Sequence, residues 1–405
     1  MDNIAGTKSS LTWAVHISVA VLVFLWLFPT VGLFVSSFRT ADQIATSGWW
    51  KALFPSEQNL VLRTAAPDTQ TRIGDLGDLY VIEGNLFVED GKAEGRSEIS
   101  VWGTSSREIS AFAAGDTADL GEDGTLTVQA NGDYRMENTA EFSGRRGVRV
   151  FATAETPPEF TLQNYNNVLF DKNNREGMAK AFFNTLTVTI PATILPILIA
   201  AFAAYALAWM DFPGRALLIA AIVALLVVPL QLALIPLLSL HNDFARFLNG
   251  LLGLEGTQNA IKAKGYVGVW FAHIGFGLPL AIYLLRNYMV GLPRDIIENA
   301  RVDGATEFQI FTKIILPLSF PALASFAIFQ FLWTWNDLLV ALVFLIDSSG
   351  NTTVMTKQIV ELLGTRGGDW EILATSAFVS IAVPLGVFFM MQRYLVRGLL
   401  AGSVK

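Results

Sequence analysis

The sequence contains no cysteine and only 3 histidines, and charged residues make up 16% of its 405 positions. Without cysteine, disulfides, thiolate metal sites and cysteine nucleophiles are excluded. So few histidines give no basis for a histidine-built zinc site, and we expect no metal site and no catalytic residues. The net charge of −7, without a basic stripe, argues against a nucleic-acid partner. Soluble domains carry about a quarter charged residues, so the deficit here indicates a membrane protein.

Six segments have the roughly 20 mostly apolar residues that a helix needs to cross a bilayer. Prolines within them and runs of small residues, as in 200–204, are tolerated in packed membrane helices. The apolar stretch of the first segment is too long for a signal peptide, so we interpret it as a retained anchor. The pattern predicts an all-α polytopic membrane protein with six transmembrane helices. The predicted spans are 11–38, 182–210, 216–240, 266–285, 318–346 and 372–391.

An acidic, polar insert separates the first two predicted spans. Residues 41–180 contain 22 Asp and Glu against 13 Lys and Arg, a net charge of −9, whereas the remaining residues contain 13 against 15, a net charge of +2. The chain therefore divides into three parts. These are the N-terminal tail with the first span (1–40), the insert (41–180) and the part that holds spans two to six (181–405).

The insert is predicted to be β-rich between about residues 73 and 153. An Asn131-Gly132 pair between two short alternating segments is typical of a primed two-residue hairpin turn. The insert either decorates the membrane part or docks a soluble partner, and its sequence is compatible with both. The strand candidates are 79–82, 99–102, 126–128 and 148–151.

Basic residues predict the orientation of the spans. Arg215 lies in the connection after the second span, four more Lys and Arg lie in the connection after the fourth, and three lie at the C-terminal end. With six spans these positions and both termini share one side, which the positive-inside rule assigns to the cytoplasm. The insert and the loops 242–264 and 347–371 then face outward.

The connection after the fourth span, residues 290–317, has the pattern of two short helices joined by a hinge. Pro293 suits a first helical turn, and Glu298 lies towards the positive end of the helix dipole. Gly304 can adopt the left-handed conformation that ends a helix. Glu298 and Arg301 are free in this pattern to form ion pairs with a partner.

The second helix of this connection has its own start and stop signals. Thr306 followed by Gln309 is a capping box that begins a helix. Leu316-Pro317 is expected to end that helix and to open the fifth span. A short rigid helix pair outside the membrane can act as a lever on another protein. The alternative is an ordinary amphipathic linker.

The same connection resembles the "EAA" motif, E-x-A-x3-G-x9-I-x-L-P, of the permease subunits of ATP-binding-cassette importers. Asp303 also matches the commoner form of the motif, whereas Asn299 replaces a residue that is often alanine. All six fixed positions of the motif match, over 20 residues, which makes the signal strong. The matching residues are Glu298, Ala300, Gly304, Ile314, Leu316 and Pro317.

Further segments resemble the carbohydrate permeases of the maltose and α-glucoside group, in particular their smaller six-span subunit. The resemblance covers roughly 11–40 and 158–405. The large insert departs from a plain maltose-type subunit and resembles an enlarged α-glucoside-type subunit. The segments that carry the likeness are 160–165, 183–186, 333–337 and the tail 397–405.

This resemblance implies a type I ATP-binding-cassette importer fold in a bacterial inner membrane, and a chain that passes a sugar without doing chemistry. Its expected partners are a second homologous permease, two ATPase subunits, a periplasmic sugar-binding protein and membrane lipid. ATP and magnesium would be bound by the ATPase, since this chain has no G-x-x-x-x-G-K-[ST] loop. The tail would also touch the ATPase. The residues expected to couple to the ATPase are Glu298, Ala300, Arg301, Asp303, Gly304, Ile314, Leu316 and Pro317.

Polar residues inside the spans are candidates for the sugar path, because such groups are costly in lipid and tend to face cavities. Asp337 and Asn336, flanked by Trp333 and Trp335, combine hydrogen-bonding groups with aromatic faces, which suits a sugar. Gln231, between two prolines, is a second candidate. The alternative is that Asp337 pairs with a neighbouring helix or lies near the outer interface, where tryptophan is common.

Two other classes of membrane protein compete with this interpretation. An ion-coupled secondary transporter could use Asp337, but such carriers have inverted repeats and intramembrane charges, and neither pattern is evident. A membrane enzyme would need a convergent catalytic set, and the sequence has no H-E-x-x-H or G-x-S-x-G. His16 and His273 are interpreted as packing residues.

Overall fold

The computed structural model describes residues 10–73, 79–89, 92–93, 98–170, 177–345, 350–365 and 368–401. The chain divides into two compact units, Met1–Asn164 with Asp369–Thr375 and Tyr165–Gly368 with Ser376–Lys405. We call them the N-terminal unit and the helical unit. Residues 1–9, the tail from residue 402 onward, and parts of the predicted insert and of the outward loop 347–371 lie outside the described residues.

The N-terminal unit begins with an apolar helix and continues into a β-domain. Helix α1 (Ser10–Ser36) is followed by α2 (Ala41–Thr46) and a 3₁₀ turn (Trp49–Lys51). Eleven strands are described after them, in sheets of four, five and two strands ordered β1-β11-β6-β7, β2-β3-β10-β9-β8 and β4-β5. They are β1 (Ser56–Arg63), β2 (Thr71–Ile73), β3 (Leu79–Asn85), β4 (Val88–Glu89), β5 (Lys92–Ala93), β6 (Glu98–Gly103), β7 (Phe112–Ala113), β8 (Thr117–Asp119), β9 (Thr125–Val128), β10 (Asp133–Asn138) and β11 (Arg149–Thr156).

The two larger sheets share one apolar core. Trp102, Leu126 and Val150 are fully buried in it, and β11 alternates buried with more exposed positions, as a half-buried strand does. The four predicted strands lie in β3, β6, β9 and β11. The β-structure begins at Ser56, before the predicted limit of 73, because β1 buries the polar Gln58 and so lacks a clear apolar alternation.

The predicted hairpin between β9 and β10 is present, but its turn type differs from the prediction. The amide of Gly132 donates to the carbonyl of Gln129 at 3.0 Å, so the central turn residues are Ala130 and Asn131. Gly132 follows them with φ +84°. A left-handed glycine directly after a turn allows a three-residue hairpin loop, which explains the shift by one position.

The helical unit contains α4 to α13 and most of α3 and α14. After α3 and the long α4, its helices vary greatly in length, and several pairs meet at sharp bends. They are α3 (Gln163–Phe170), α4 (Met178–Trp209), α5 (Arg215–Leu225), α6 (Leu230–Leu252), α7 (Tyr266–Val290), α8 (Arg294–Val302), α9 (Glu307–Ile310), α10 (Leu316–Leu318), α11 (Phe320–Trp335), α12 (Leu339–Phe344), α13 (Met355–Thr365) and α14 (Trp370–Ala401).

Four of the six predicted spans are single long helices among the described residues, namely α1, α4, α7 and α14. The third predicted span is broken: α5 and α6 meet at 112°, next to Pro229, and a proline disfavours helix at the residue before it. The fifth begins at a 69° bend at Ser319, between the helical segment Glu307–Leu318 and α11. It is interrupted again after Trp335, and three residues separate Trp335 from the start of α12 at Leu339. The total reaches six only if each bent pair is one span.

Two predicted outward loops contain helix. Helix α6 continues to Leu252, well into the predicted loop 242–264, and α13 occupies part of 347–371. The prediction followed long apolar runs, whereas both segments are amphipathic helices whose apolar residues recur at a helical spacing.

Candidate functional site

Residues 290–317, the coupling loop, form short helices joined at a left-handed glycine. Pro293 is the N-cap of α8, one position before the first turn in which it was expected. Helix α8 ends at Val302, and Gly304 has φ +81°, as predicted. The amide of Ala305 donates to the carbonyl of Ala300 at 3.0 Å, which satisfies a carbonyl left free at the helix end.

The second half of the coupling loop begins with the predicted capping box. Gln309 donates its amide to the hydroxyl of Thr306 at 3.3 Å, and its side chain accepts from the amide of Thr306 at 2.9 Å. Pro317 does not end this helix as expected. The helical backbone continues through a π-helical turn (Phe311–Ile315) and α10. Pro317 directly follows the π-helical turn, an irregularity of the kind at which a helix departs from its regular hydrogen bonding.

The coupling loop has one face packed on the helical unit and one face exposed. The packed face joins side chains of α4 and α7 in a single apolar cluster. Ala300 is only 9% exposed and faces that cluster, although the sequence suggested that it would admit a partner. Val302 is 87% and Phe308 66% exposed. The buried loop residues are Ile297, Ala300, Ile310, Phe311 and Ile315; Ile314 and Leu316 are half-buried, and Glu298, Asn299, Asp303, Gly304 and Pro317 are exposed.

Arg301 is held within the chain. Its Nε donates to Glu307 Oε1 at 2.9 Å, and its Nη2 donates to the carbonyl of Trp209 at 3.3 Å. The Tyr205 hydroxyl donates to Glu307 Oε2 at 2.5 Å. The hydrogen bond to Glu307 raises the pKa of Arg301 above its usual value. This network joins α8 and α9 to the end of α4, a connection that the sequence analysis missed.

Asp337 lies at the interruption of the fifth span. Its Oδ2 accepts the amide of Val340 at 3.0 Å, and its carbonyl accepts the Thr356 hydroxyl at 3.0 Å. The nearest described basic group is His273, whose Nε2 lies 3.7 Å from Oδ2, with side-chain exposures of 1% and 9% for the two residues. Asp337 therefore stabilises the start of α12 and lies next to the buried His273 of α7.

The two tryptophans of this region have different environments. Trp335 is 1% exposed, stacks on Phe331 at 5.6 Å and donates to the carbonyl of Ser380 at 3.0 Å. Trp335 is therefore a packing residue and not an open surface for sugar. Trp333 is 39% exposed, and its ring meets that of His273 edge-on at 6.0 Å.

The remaining path candidates are exposed, and one buried amide was overlooked. Asn336 donates to the carbonyl of Leu332 at 2.8 Å, which caps the end of α11, and Gln231 is exposed in the first turn of α6. Gln330, 2% exposed, donates to the carbonyl of Ala192 at 3.1 Å. A glutamine in the apolar α11 was the sequence signal for this inter-helix bond.

No group of His, Asp or Glu side chains within the described ranges is arranged to hold a metal ion. The coupling loop instead forms a short helix pair, α8 and α9, with an exposed face. The Arg301–Glu307 ion-pair network links this pair directly to the end of the long apolar helix α4.

Comparison with known proteins identifies the class of this membrane protein. The family profile described as "Binding-protein-dependent transport system inner membrane component" matches residues 177–400. The alpha-glucoside transport system permease protein AglG of Rhizobium meliloti (strain 1021) is 58% identical over 98% of both chains. The osmoprotective compounds uptake permease protein GgtD of Synechocystis sp. is 55% identical over 61% of this chain and 76% of its own.

Among solved structures, a bacterial ABC transporter that imports the acidic polysaccharide alginate matches with a TM-score of 0.44 at 21% identity, over 59% of this chain and 81% of that chain. The profile covers more than half of the sequence, and the relative from Rhizobium covers nearly all of it. The protein belongs to the inner-membrane permeases of binding-protein-dependent transport systems, and its relatives are sugar permeases of ATP-binding-cassette importers.

Proposed function

We propose that this chain forms half of the path by which an importer moves an α-glucoside or related oligosaccharide across the bacterial inner membrane. The 58% identity to an alpha-glucoside permease over 98% of both chains carries this proposal. Because the alignment spans nearly the full length, it includes the acidic insert. The other half of the path belongs to a second, homologous permease, and a periplasmic binding protein delivers the sugar.

The coupling loop is the docking site of an ATPase subunit, which binds ATP and magnesium. Its exposed face supports this role, because Val302 and Phe308 provide apolar contact beside the carboxylates of Glu298 and Asp303. Gly304 sets the angle between the two short helices, and the Arg301–Glu307 pair holds that angle. Both chain termini lie on the same, cytoplasmic side.

The sugar path passes the interruption of the fifth span. The half-exposed indole of Trp333 and the exposed amide of Asn336 supply an aromatic face and a hydrogen-bonding group there. Asp337 acts through α12, whose start it caps, and Gln231 lies at the bend between α5 and α6. The family to which the chain belongs favours this importer over an ion-coupled carrier that uses Asp337.

Charge reversal on the exposed face tests the docking proposal. The assembled importer would be purified from membranes for wild type, Glu298→Lys and the control Glu255→Lys, which changes an exposed carboxylate on the loop after α6. Glu298→Lys should lose the ATPase or its stimulation by loaded binding protein, and the control should retain both. An ATPase that remains bound and stimulated in Glu298→Lys contradicts docking at this face.

A further inference from the structure

The chain reverses after α1 and returns along that helix. The indole of Trp49 lies 4.6 Å from the ring of Phe28, and a Cβ added at Gly32 would lie 2.7 Å from Trp49 Nε1. At about 1.5 Å per residue, Gly32 and Phe28 lie roughly 6 and 12 Å before the last residue of α1. Trp49 therefore lies one to two turns inside the apolar length of α1.

Buried hydrogen bonds hold this reversal. Arg39, 3% exposed, donates to the carbonyls of Gln43 at 2.6 Å and Ser47 at 3.0 Å, and these bonds close the end of α2. Asn164 donates to the carbonyls of Ser37 at 3.0 Å and Arg39 at 2.9 Å. These hydrogen bonds fix the turn after α1, so residues 49–54 run back along that helix within the N-terminal unit.

The returning segment presents large apolar side chains that the described residues leave uncovered. Trp50 is 61%, Leu53 76% and Phe54 65% exposed, whereas the small Ala52 is buried. Trp50 stacks near Phe28 at 6.4 Å, so this surface is continuous with that of α1. Only 6% of the most apolar window of α1 is buried, and α1 is long and apolar enough to cross a membrane.

We propose that Trp50, Leu53 and Phe54, the interfacial segment, insert into the phospholipid bilayer in the leaflet that holds the C-terminal end of α1. The level of Trp49, and of Trp50 beside Phe28, is close to the roughly 5–10 Å by which interfacial elements enter the boundary between headgroups and acyl chains. Tryptophan favours this boundary, and the exposed Lys51 can extend its ammonium to the headgroups. Because β1 begins at Ser56, the segment anchors the base of the β-domain to the membrane surface.

Spin labels can test the proposal, because the chain has no native cysteine. Leu53→Cys and Phe54→Cys would be labelled with a nitroxide in the assembled importer in phospholipid nanodiscs, with Val61→Cys, exposed on β1, as the matched control. Both substituted side chains are exposed, so the fold should tolerate them. Accessibility to oxygen, which concentrates in lipid, is compared with accessibility to a water-soluble nickel chelate.

Insertion predicts an oxygen-to-nickel accessibility ratio at positions 53 and 54 several times that at position 61. Nickel accessibility at 53 and 54 equal to that at 61 would place the segment in water and overturn the proposal. Low accessibility to both reagents would overturn it as well, because the segment would then be covered by protein, such as the second permease.

Discussion

Substituting alanine for Gly304 changes only the backbone preference of the hinge in the coupling loop. Gly304 has φ +81°, and no heavy atom lies within 4 Å of an added Cβ, so no collision accompanies the change. An L-residue in the left-handed region costs about 1–2 kcal/mol. A cost of that size shifts an equilibrium by a factor of about 5–30. The population of the docking-competent loop should fall accordingly.

The measurement is the affinity of the ATPase for the permease pair in nanodiscs. Gly304→Ala should weaken this affinity by up to a factor of about 5–30. Gly304→Asn should weaken it less, because asparagine tolerates the left-handed region. The matched control is Gly214→Ala: Gly214, just before α5, has φ +84° and equally open space. Wild-type affinity in Gly304→Ala, or an equal loss in Gly214→Ala, would contradict a hinge role for Gly304 in docking.

Three further substitutions separate coupling, path and packing. Tyr205→Phe removes a hydrogen bond to a carboxylate, a kind worth about 1.5–3 kcal/mol when buried and less at this half-exposed site. The ATPase should still dock, while less sugar enters per ATP hydrolysed; an unchanged ratio contradicts the network's role. Trp335→Ala empties a buried site and should cost about 3–5 kcal/mol, seen as a lower Tm, whereas Trp333→Ala should mainly raise the sugar concentration for half-maximal uptake. A lower Tm for Trp333→Ala together with a changed sugar requirement for Trp335→Ala would contradict this assignment. Leu126→Ala, in the sheet core, should cost about 2–5 kcal/mol and make the insert protease-sensitive, unlike the exposed control Val61→Ala; equal protease resistance would contradict the assigned core.

Structural features that depend only on residues close together in the sequence were predictable. The Thr306–Gln309 capping box and the left-handed Gly304 depend on contacts within a few positions, and both are present as expected. The long apolar helices were predictable because a span needs only length and composition. Their bends were not, since the prolines that permit a bend are also tolerated in straight packed helices.

Features that depend on distant residues could not be predicted. The burial of Ala300 and the pairing of Arg301 depend on α4 and α7, which periodicity within the loop does not reveal. The same limit applies to Trp335: its indole contacts a helix about 45 positions away, and the sequence shows only its aromatic neighbours. β1 was missed because its buried Gln58 interrupts the apolar pattern on which strand prediction depends.

The energy source of sugar uptake distinguishes an ATP-driven importer from an ion-coupled carrier. It can be measured as uptake of a labelled α-glucoside into proteoliposomes that contain the assembled importer and its binding protein, with ATP or an imposed proton or sodium gradient as the energy source. We expect uptake that requires ATP and the binding protein and does not respond to the gradients. Uptake driven by a gradient without ATP, and abolished by Asp337→Asn, would contradict ATP-driven import.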